Sequence, residues 1–156
     1  MTVQEQVDRA CRFAYRLAYP VVQRLRRLVK LDQFVVVAVW LDDTVLGVRH
    51  SYKPGLTLLY GGARWREDHR LAAVRELREE VGLTIDCDTL RLVIATPNMH
   101  LYELRLREKP ELQIDRREVV EACFVEPGAL REARYRHNVG EYLRRRARLE
   151  TSVNNG

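Results

Sequence analysis

Three glutamates, Glu76, Glu79 and Glu80, lie within two turns of a segment that also carries Arg75 and Glu67. Over a helix from about Asp68 to Val81, each residue steps about 100°. Leu71, Val74, Leu77 and Val81 then share one arc of about 120°, and Glu76, Glu79 and Glu80 share a separate arc of about 100°. The first arc is suited to burial. The second crowds like charges together, an arrangement that gains a purpose when a cation sits among them. Oxygen ligands on a rigid helix suit Mg²⁺ or Mn²⁺, which keep several waters and bind substrate phosphates at the same time. Arg75 can reach Glu79 one turn on or Glu67 behind it, and either pairing offsets part of the repulsion.

The register extends well beyond the glutamates. Gly61, Glu67, Arg75, Glu76, Leu77, Glu79, Glu80, Gly82 and Leu83 fill every fixed position of G-x5-E-x7-R-E-U-x-E-E-x-G-U, where U is a bulky aliphatic residue. Seven specified residues and two aliphatics should coincide well below about once in 10^5 chains of this length. A lone ELREE is most simply a solvent-facing charged helix; with both glycines and Glu67 in register, a metal site is the stronger reading.

This pattern resembles the Nudix box, the signature of the Nudix hydrolase superfamily, and the resemblance runs from about Phe34 to Leu149. It implies a fold of α+β (α/β-type) class, a mixed sheet sandwiched between helices, with the box as loop–helix–loop. It also implies divalent-cation-dependent hydrolysis of a nucleoside diphosphate linked to another moiety, such as a nucleotide sugar, an ADP-ribose-like molecule or a nucleoside triphosphate. By resemblance, Glu76, Glu79 and Glu80 ligate the metal, Mg²⁺ or Mn²⁺, and Glu76 or Glu79 deprotonates water. Arg75 orients the carboxylates, Glu67 holds Arg75, and the Tyr60 carbonyl completes the coordination. A further acidic ligand from a later strand or loop is Glu118 in preference to Glu121.

The chain also departs from the family pattern. Leu59-Tyr60-Gly61 stands where many members read Pro-Gly-Gly, and Arg64 where many carry Glu. Arg64 and Arg66 are candidates to grip substrate phosphates, with solvated arginine as the alternative. Tyr52 and Trp65 are candidates to stack on a base, with core packing as the alternative. His50, His69, His100 and His137 show no ligand spacing and read as structural or exposed.

These side chains need a scaffold. The 156 residues, 46% hydrophobic and 31% charged, fit one soluble domain with one core. Valine-rich Phe34 to Leu41 reads as a buried strand, and Asp42-Asp43 turns it into Thr44 to His50. Strands follow at Leu56 to Tyr60, near Arg91 to Ala95, at Leu101 to Leu106 and at Glu118 to Val125. A helical turn starts at Pro127-Gly128, and Val139 to Leu149 reads as a terminal helix. Residues 1–30 form an N-terminal helical extension, 31–150 the catalytic domain and 151–156 a frayed tail. In the extension a helix spans 3 to 19 until Pro20 interrupts it, with a basic stretch from Val21 to Val29 a candidate to resume it, and Val7, Ala10, Phe13, Ala14 and Leu17 are expected to pack on the domain. A membrane-surface helix or a homodimer contact is the alternative.

A net charge of +5 favours anionic partners, phosphate-bearing metabolites among them. It does not by itself indicate nucleic acid, and no aromatic RNA-binding motif accompanies the arginines. Cys11, Cys87 and Cys123 have no metal or redox spacing and read as free thiols. With no evident signal peptide and no apolar run long enough to span a membrane, a cytoplasmic location is the expectation. A nucleotide-binding module with weak turnover is the competing function.

Overall fold

The computed structural model describes residues 2–28, 33–135 and 137–154. Its centre is β1 (Phe34–Leu41), whose residues 35–40 are all buried. Uninterrupted apolar sequence with no polar alternation is what a strand covered on both faces requires. β1 pairs in parallel with β5 (Met99–Leu106), register Phe34↔Met99 to Leu41↔Leu106. β2 (Thr44–His50) turns back from β1 through Asp42, which takes a positive φ of 51°. β4 (Arg91–Thr96) and β6 (Val119–Val125) complete the order β4-β5-β1-β2-β6, while β3 (Leu59–Gly62) pairs antiparallel with the first half of β1. The sheet is mixed, and the class is α+β.

Strand side chains alternate between two clusters. Val35, Val37 and Val39 face α2 (His69–Val81) through Ala72, Ala73, Leu77 and Val81. Val36, Ala38 and Trp40 face the opposite way, onto Leu130, Val139 and Leu143. The last two belong to α4 (His137–Asn154), which follows the short α3 (Glu132–Tyr135). A polar hub pins α4 to the sheet. Buried Glu103 accepts from the Tyr142 hydroxyl at 2.7 Å and pairs with Arg91 at 3.0 Å and Arg146 at 3.4 Å.

Two features of α1 (Val3–Leu28) differ from the sequence expectation. The helix continues through Pro20. Pro20 is exposed, where water can satisfy the carbonyl that loses its partner. The apolar side does not pack on the domain, for Val3, Phe13, Leu17 and Val21 are 77%, 64%, 61% and 58% exposed. Arginines make the contact instead: Arg12 Nε donates to the Arg116 carbonyl and Arg16 Nε to the Ser51 carbonyl, each at 2.8 Å. Charged donors reach loop carbonyls that no strand partner has claimed. The expected boundary between residues 30 and 31 lies outside the described residues, as do Asn155 and Gly156. Residues 151–154 of the expected tail continue α4.

α2 begins at Asp68, whose carboxylate accepts from the amides of Arg70 and Leu71, satisfying donors at the helix start. It ends at Gly82, with φ 74°, whose amide donates to the Arg78 carbonyl. A methyl group on Gly82 would stand 2.8 Å from the Gln113 Cβ. Gly82→Ala is therefore expected to cost about 1–2 kcal/mol from the left-handed conformation alone, and more from the contact. A urea midpoint unchanged from wild type would remove that account.

Candidate active site

The buried stripe of α2 is rotated from the one that periodicity predicts. Leu71 is 55% exposed, and Glu80, placed by its spacing on the polar side, is 5% exposed. The small Ala72 and Ala73 let the helix lie close on the sheet, and that approach carries Glu80 under β2 while lifting Leu71 out. The three glutamates thus occupy graded surroundings. Glu80 is buried, the Glu76 side chain is 12% exposed and that of Glu79 is 45% exposed.

Arg75 ties the outer two together. Its Nε and Nη2 donate to the Glu67 carboxylate at 2.9 and 3.0 Å, and Nη1 donates to Glu76 at 2.7 Å and to Glu79 at 3.1 Å. Nη2 also reaches the Gly62 carbonyl at 2.8 Å, which fixes the guanidinium to the end of β3. The planar fork serves three acids at once, a geometry lysine cannot supply. Glu67, hydrogen-bonded to Arg75, is held down at about 2, and it also accepts from the Arg64 amide at 2.7 Å. Gly61 is the floor of this arrangement. A side chain there would overlap the Glu76 carboxyl group, so only glycine lets the glutamate lie across the strand.

Glu80 belongs to a second group, set deeper. His50 Nε2 stands 3.2 Å from Glu80 Oε1, and one ligand atom each of His50, Glu80 and Glu118 lie within 4.8 Å of one another. Tyr52 donates its hydroxyl to Glu118 Oε1 at 2.9 Å, and its ring lies 5.3 Å from that of His50. Tyr60 packs on the other ring contact of His50 at 5.0 Å, with Lys53 Nζ 4.3 Å from the Tyr60 centroid. Glu121 is turned away, paired with Arg49 at 2.8 Å. His50 is the residue that sequence spacing misses: it comes from a distant strand, and no HxxxH or similar motif marks it.

The other sequence candidates take different places. Arg64 pairs with Glu79 at 3.5 Å, so it meets a carboxylate of the cluster. Trp65 is 77% exposed, with the Arg66 guanidinium 5.9 Å from its ring and Arg66 itself at φ 59°. Tyr52 is engaged with Glu118 and His50 and is not a free platform for a base. Tyr60 lines the site through its ring. A cavity of about 360 Å³ between α1 and Arg116, lined by Glu5, Asp8, Arg9 and Arg12, includes none of these residues.

The donor set fits a divalent cation. Glu80 Oε2 is buried and has no hydrogen-bond partner among the described residues. Burial pushes the Glu76 carboxyl up to about 7 against the opposing pull of Arg75, and burial with the nearby Glu118 charge pushes Glu80 well up. Carboxylates that resist ionisation, beside an orphaned oxygen, form a donor set that a hard cation would neutralise and complete. A raised carboxyl makes a contribution to the metal-free fold that is fully present below about pH 4.5 and is lost as pH rises through 7. For Glu76 the loss is about 3 kcal/mol. Thermal melts in EDTA should fall from pH 5 to pH 8, and Mg²⁺ should restore the pH 8 value; a metal-independent profile would contradict this.

The NUDIX domain model matches residues 31–145. No curated protein sequence matches the chain. Among solved structures it is similar to a C. elegans Ap4A hydrolase in a binary complex, with TM-score 0.59 and 18% identity over 77% of this chain and 99% of that one. The E. coli dihydroneopterin triphosphate pyrophosphohydrolase gives TM-score 0.57 and 14% identity over 72% and 94%. A MutT/nudix family protein from Enterococcus faecalis gives 0.52 and 18% over 60% of this chain, which spans only 42% of that protein. At such identities the structures speak to the fold alone, whereas the domain match covers most of the sequence and holds the whole glutamate helix. The chain belongs to the NUDIX family.

Proposed function

We propose that this protein is a divalent-metal-dependent hydrolase of the diphosphate linkage in a nucleoside diphosphate joined to another moiety. The observation that carries the reading is the graded glutamate cluster, with the orphaned Glu80 Oε2 at its buried end. Glu76, Glu80 and Glu118 would hold the cation, with the Tyr60 carbonyl as a further ligand. A bound Mg²⁺ or Mn²⁺ supplies neutralisation of the diphosphate and a lower pKa for water.

The protein's own groups do the rest. Glu79, the most exposed of the three, accepts a proton from water as the water oxygen bonds to phosphorus and the bridging P–O bond breaks. The leaving phosphate departs with the bond's electrons. Arg75 bridges Glu79 and Glu76 and holds both in place, which limits the reorganisation that accompanies the proton transfer. Arg64 lies beside Glu79 and is placed to take up an anionic oxygen of the substrate once that ion pair opens.

Ap4A and dihydroneopterin triphosphate, named for two of the structural neighbours, both contain phosphoanhydrides. A panel of nucleotide sugars, ADP-ribose, dinucleoside polyphosphates and nucleoside triphosphates tests the proposal. At least one member should be cleaved with Mg²⁺ or Mn²⁺, and Glu79→Gln should abolish that cleavage. No cleavage of any member, with wild type matching Glu79→Gln, would exclude it. The Arg64–Glu79 ion pair favours one second reading, a nucleotide-binding module in which the base is masked. Nucleotide-induced thermal stabilisation without turnover would establish that instead.

A further inference from the structure

His50 is too well buried and too well placed to be filler. It closes β2 at an irregularity of register, for Arg49 pairs with Glu121 while His50 pairs with Val119. His50 continues the alternation of Leu46 and Val48, which face α2, so Arg49 is exposed and His50 is 2% exposed. Tyr52 and Tyr60 pack against its ring. The ring carries a proton on at least one of its two nitrogens.

The position of that proton follows from the neighbours. Nδ1 is buried and has no hydrogen-bond partner among the described residues, whereas Nε2 lies 3.2 Å from Glu80 Oε1. With Glu80 ionised, as it must be to serve a cation, a proton on Nδ1 would strand a donor in the interior and leave the Nε2 lone pair facing a carboxylate oxygen. A proton on Nε2 costs only an unfilled acceptor and makes a hydrogen bond to Glu80. The Glu80 carboxylate is then divided: Oε1 accepts from His50, and Oε2 is the oxygen without a partner.

We infer that His50 is a positioning residue, which donates Nε2–H to Glu80 Oε1 and thereby dedicates Oε2 to the cation. The inference rests on the reading of Glu80 as a cation ligand. His50 acts through Glu80, a carboxylate with no arginine partner among the described residues; it is the buried counterpart of what Arg75 does for Glu76 and Glu79.

Two measurements test it on the full chain at fixed neutral pH. Free Mn²⁺ is followed by electron paramagnetic resonance in titrations of wild type, His50→Leu and His50→Gln, with melting curves for each. His50→Leu should weaken Mn²⁺ binding by roughly 10- to 100-fold, the range typical of lost partners behind a metal ligand. His50→Gln, which can offer an amide N–H to Glu80, should recover most of that loss at a similar melting temperature. Independently, long-range ¹H–¹⁵N spectra of the wild type report the protonated ring nitrogen without any substitution. Nε2 should carry the proton once Mg²⁺ is bound.

His50→Leu binding Mn²⁺ as tightly as wild type would overturn the assignment. So would loss of the Nε2 proton when Mg²⁺ is added, which would make His50 itself a ligand. Wild type that binds no Mn²⁺, indistinguishable from Glu80→Gln, would instead bring down the site reading on which the inference stands. Should His50→Leu fail to fold, the spectra decide.

Discussion

Glu80→Gln is expected to lower kcat/KM by about three orders of magnitude while leaving the metal-free chain no less stable than wild type. The two halves of this result have one cause. Glu80 is 5% exposed, and burial opposes its ionisation. In the absence of a cation the carboxylate is therefore a cost to the fold, and a neutral amide of the same shape removes that cost. With a cation present, the lost charge removes several kcal/mol of transition-state stabilisation, and about 4 kcal/mol corresponds to a factor of about 10^3. Steady-state kinetics at saturating Mg²⁺, paired with thermal unfolding in EDTA, measures both. A variant that kept full activity would remove Glu80 from the cation site. One that unfolded in EDTA would show Glu80 to be a structural acid held by His50 alone.

Arg75→Ala is expected to have the opposite signature, costing about 3 kcal/mol of stability along with activity. The guanidinium is 13% exposed and serves Glu67, Glu76, Glu79 and the Gly62 carbonyl. Removing it leaves three acids facing one another, two of them largely sheltered from water, and uncompensated buried charge is among the costliest of single changes. Arg75→Lys should fall between, since one ammonium cannot address all these acceptors in plane. The pH dependence fixes the cause. Glu67 is held down at about 2, so its pairing contributes stability above about pH 4.5 that is lost as pH falls toward 2. The stability gap between wild type and Arg75→Ala should narrow over that window. Urea unfolding at pH 7 and pH 3 gives the comparison; an equal gap at both would assign the loss to packing.

How far the sequence could be read depends on how local each signal was. β1 and β2 match the expected Phe34 to Leu41 and Thr44 to His50, because an unbroken valine run and a two-residue turn are properties of adjacent residues. The start and end of α2 were likewise legible in Asp68 and Gly82. The side on which α2 is buried was not. Leu71 and Glu80 changed places because two alanines set the helix low against the sheet, a fact about the partner surface that periodicity does not contain. His50 enters the site because β2 lies beside α2 and brings it to Glu80, 30 residues further along the chain. The Glu103 hub, joining β4, β5 and α4, has the same non-local origin. Pro20 misled in the other direction, as an exposed proline can be carried in a long helix.

The segment that follows β5 divides at Gln113. From there its amides serve the end of α2: Gln113 donates to the Val81 carbonyl at 2.9 Å and Asp115 to the Glu80 carbonyl at 3.1 Å. Three residues further on, the chain delivers Glu118 beside Glu80. Lengthening or exchanging residues 107–111, ahead of Leu112 on the core, would therefore leave the cluster intact, and this half of the loop is free to be recut for a new specificity. A single insertion between Gln113 and Glu118 would pull the donors off two helix carbonyls and carry Glu118 away in the same movement. Half of this loop is interchangeable hardware; the other half is a ruler laid against the helix.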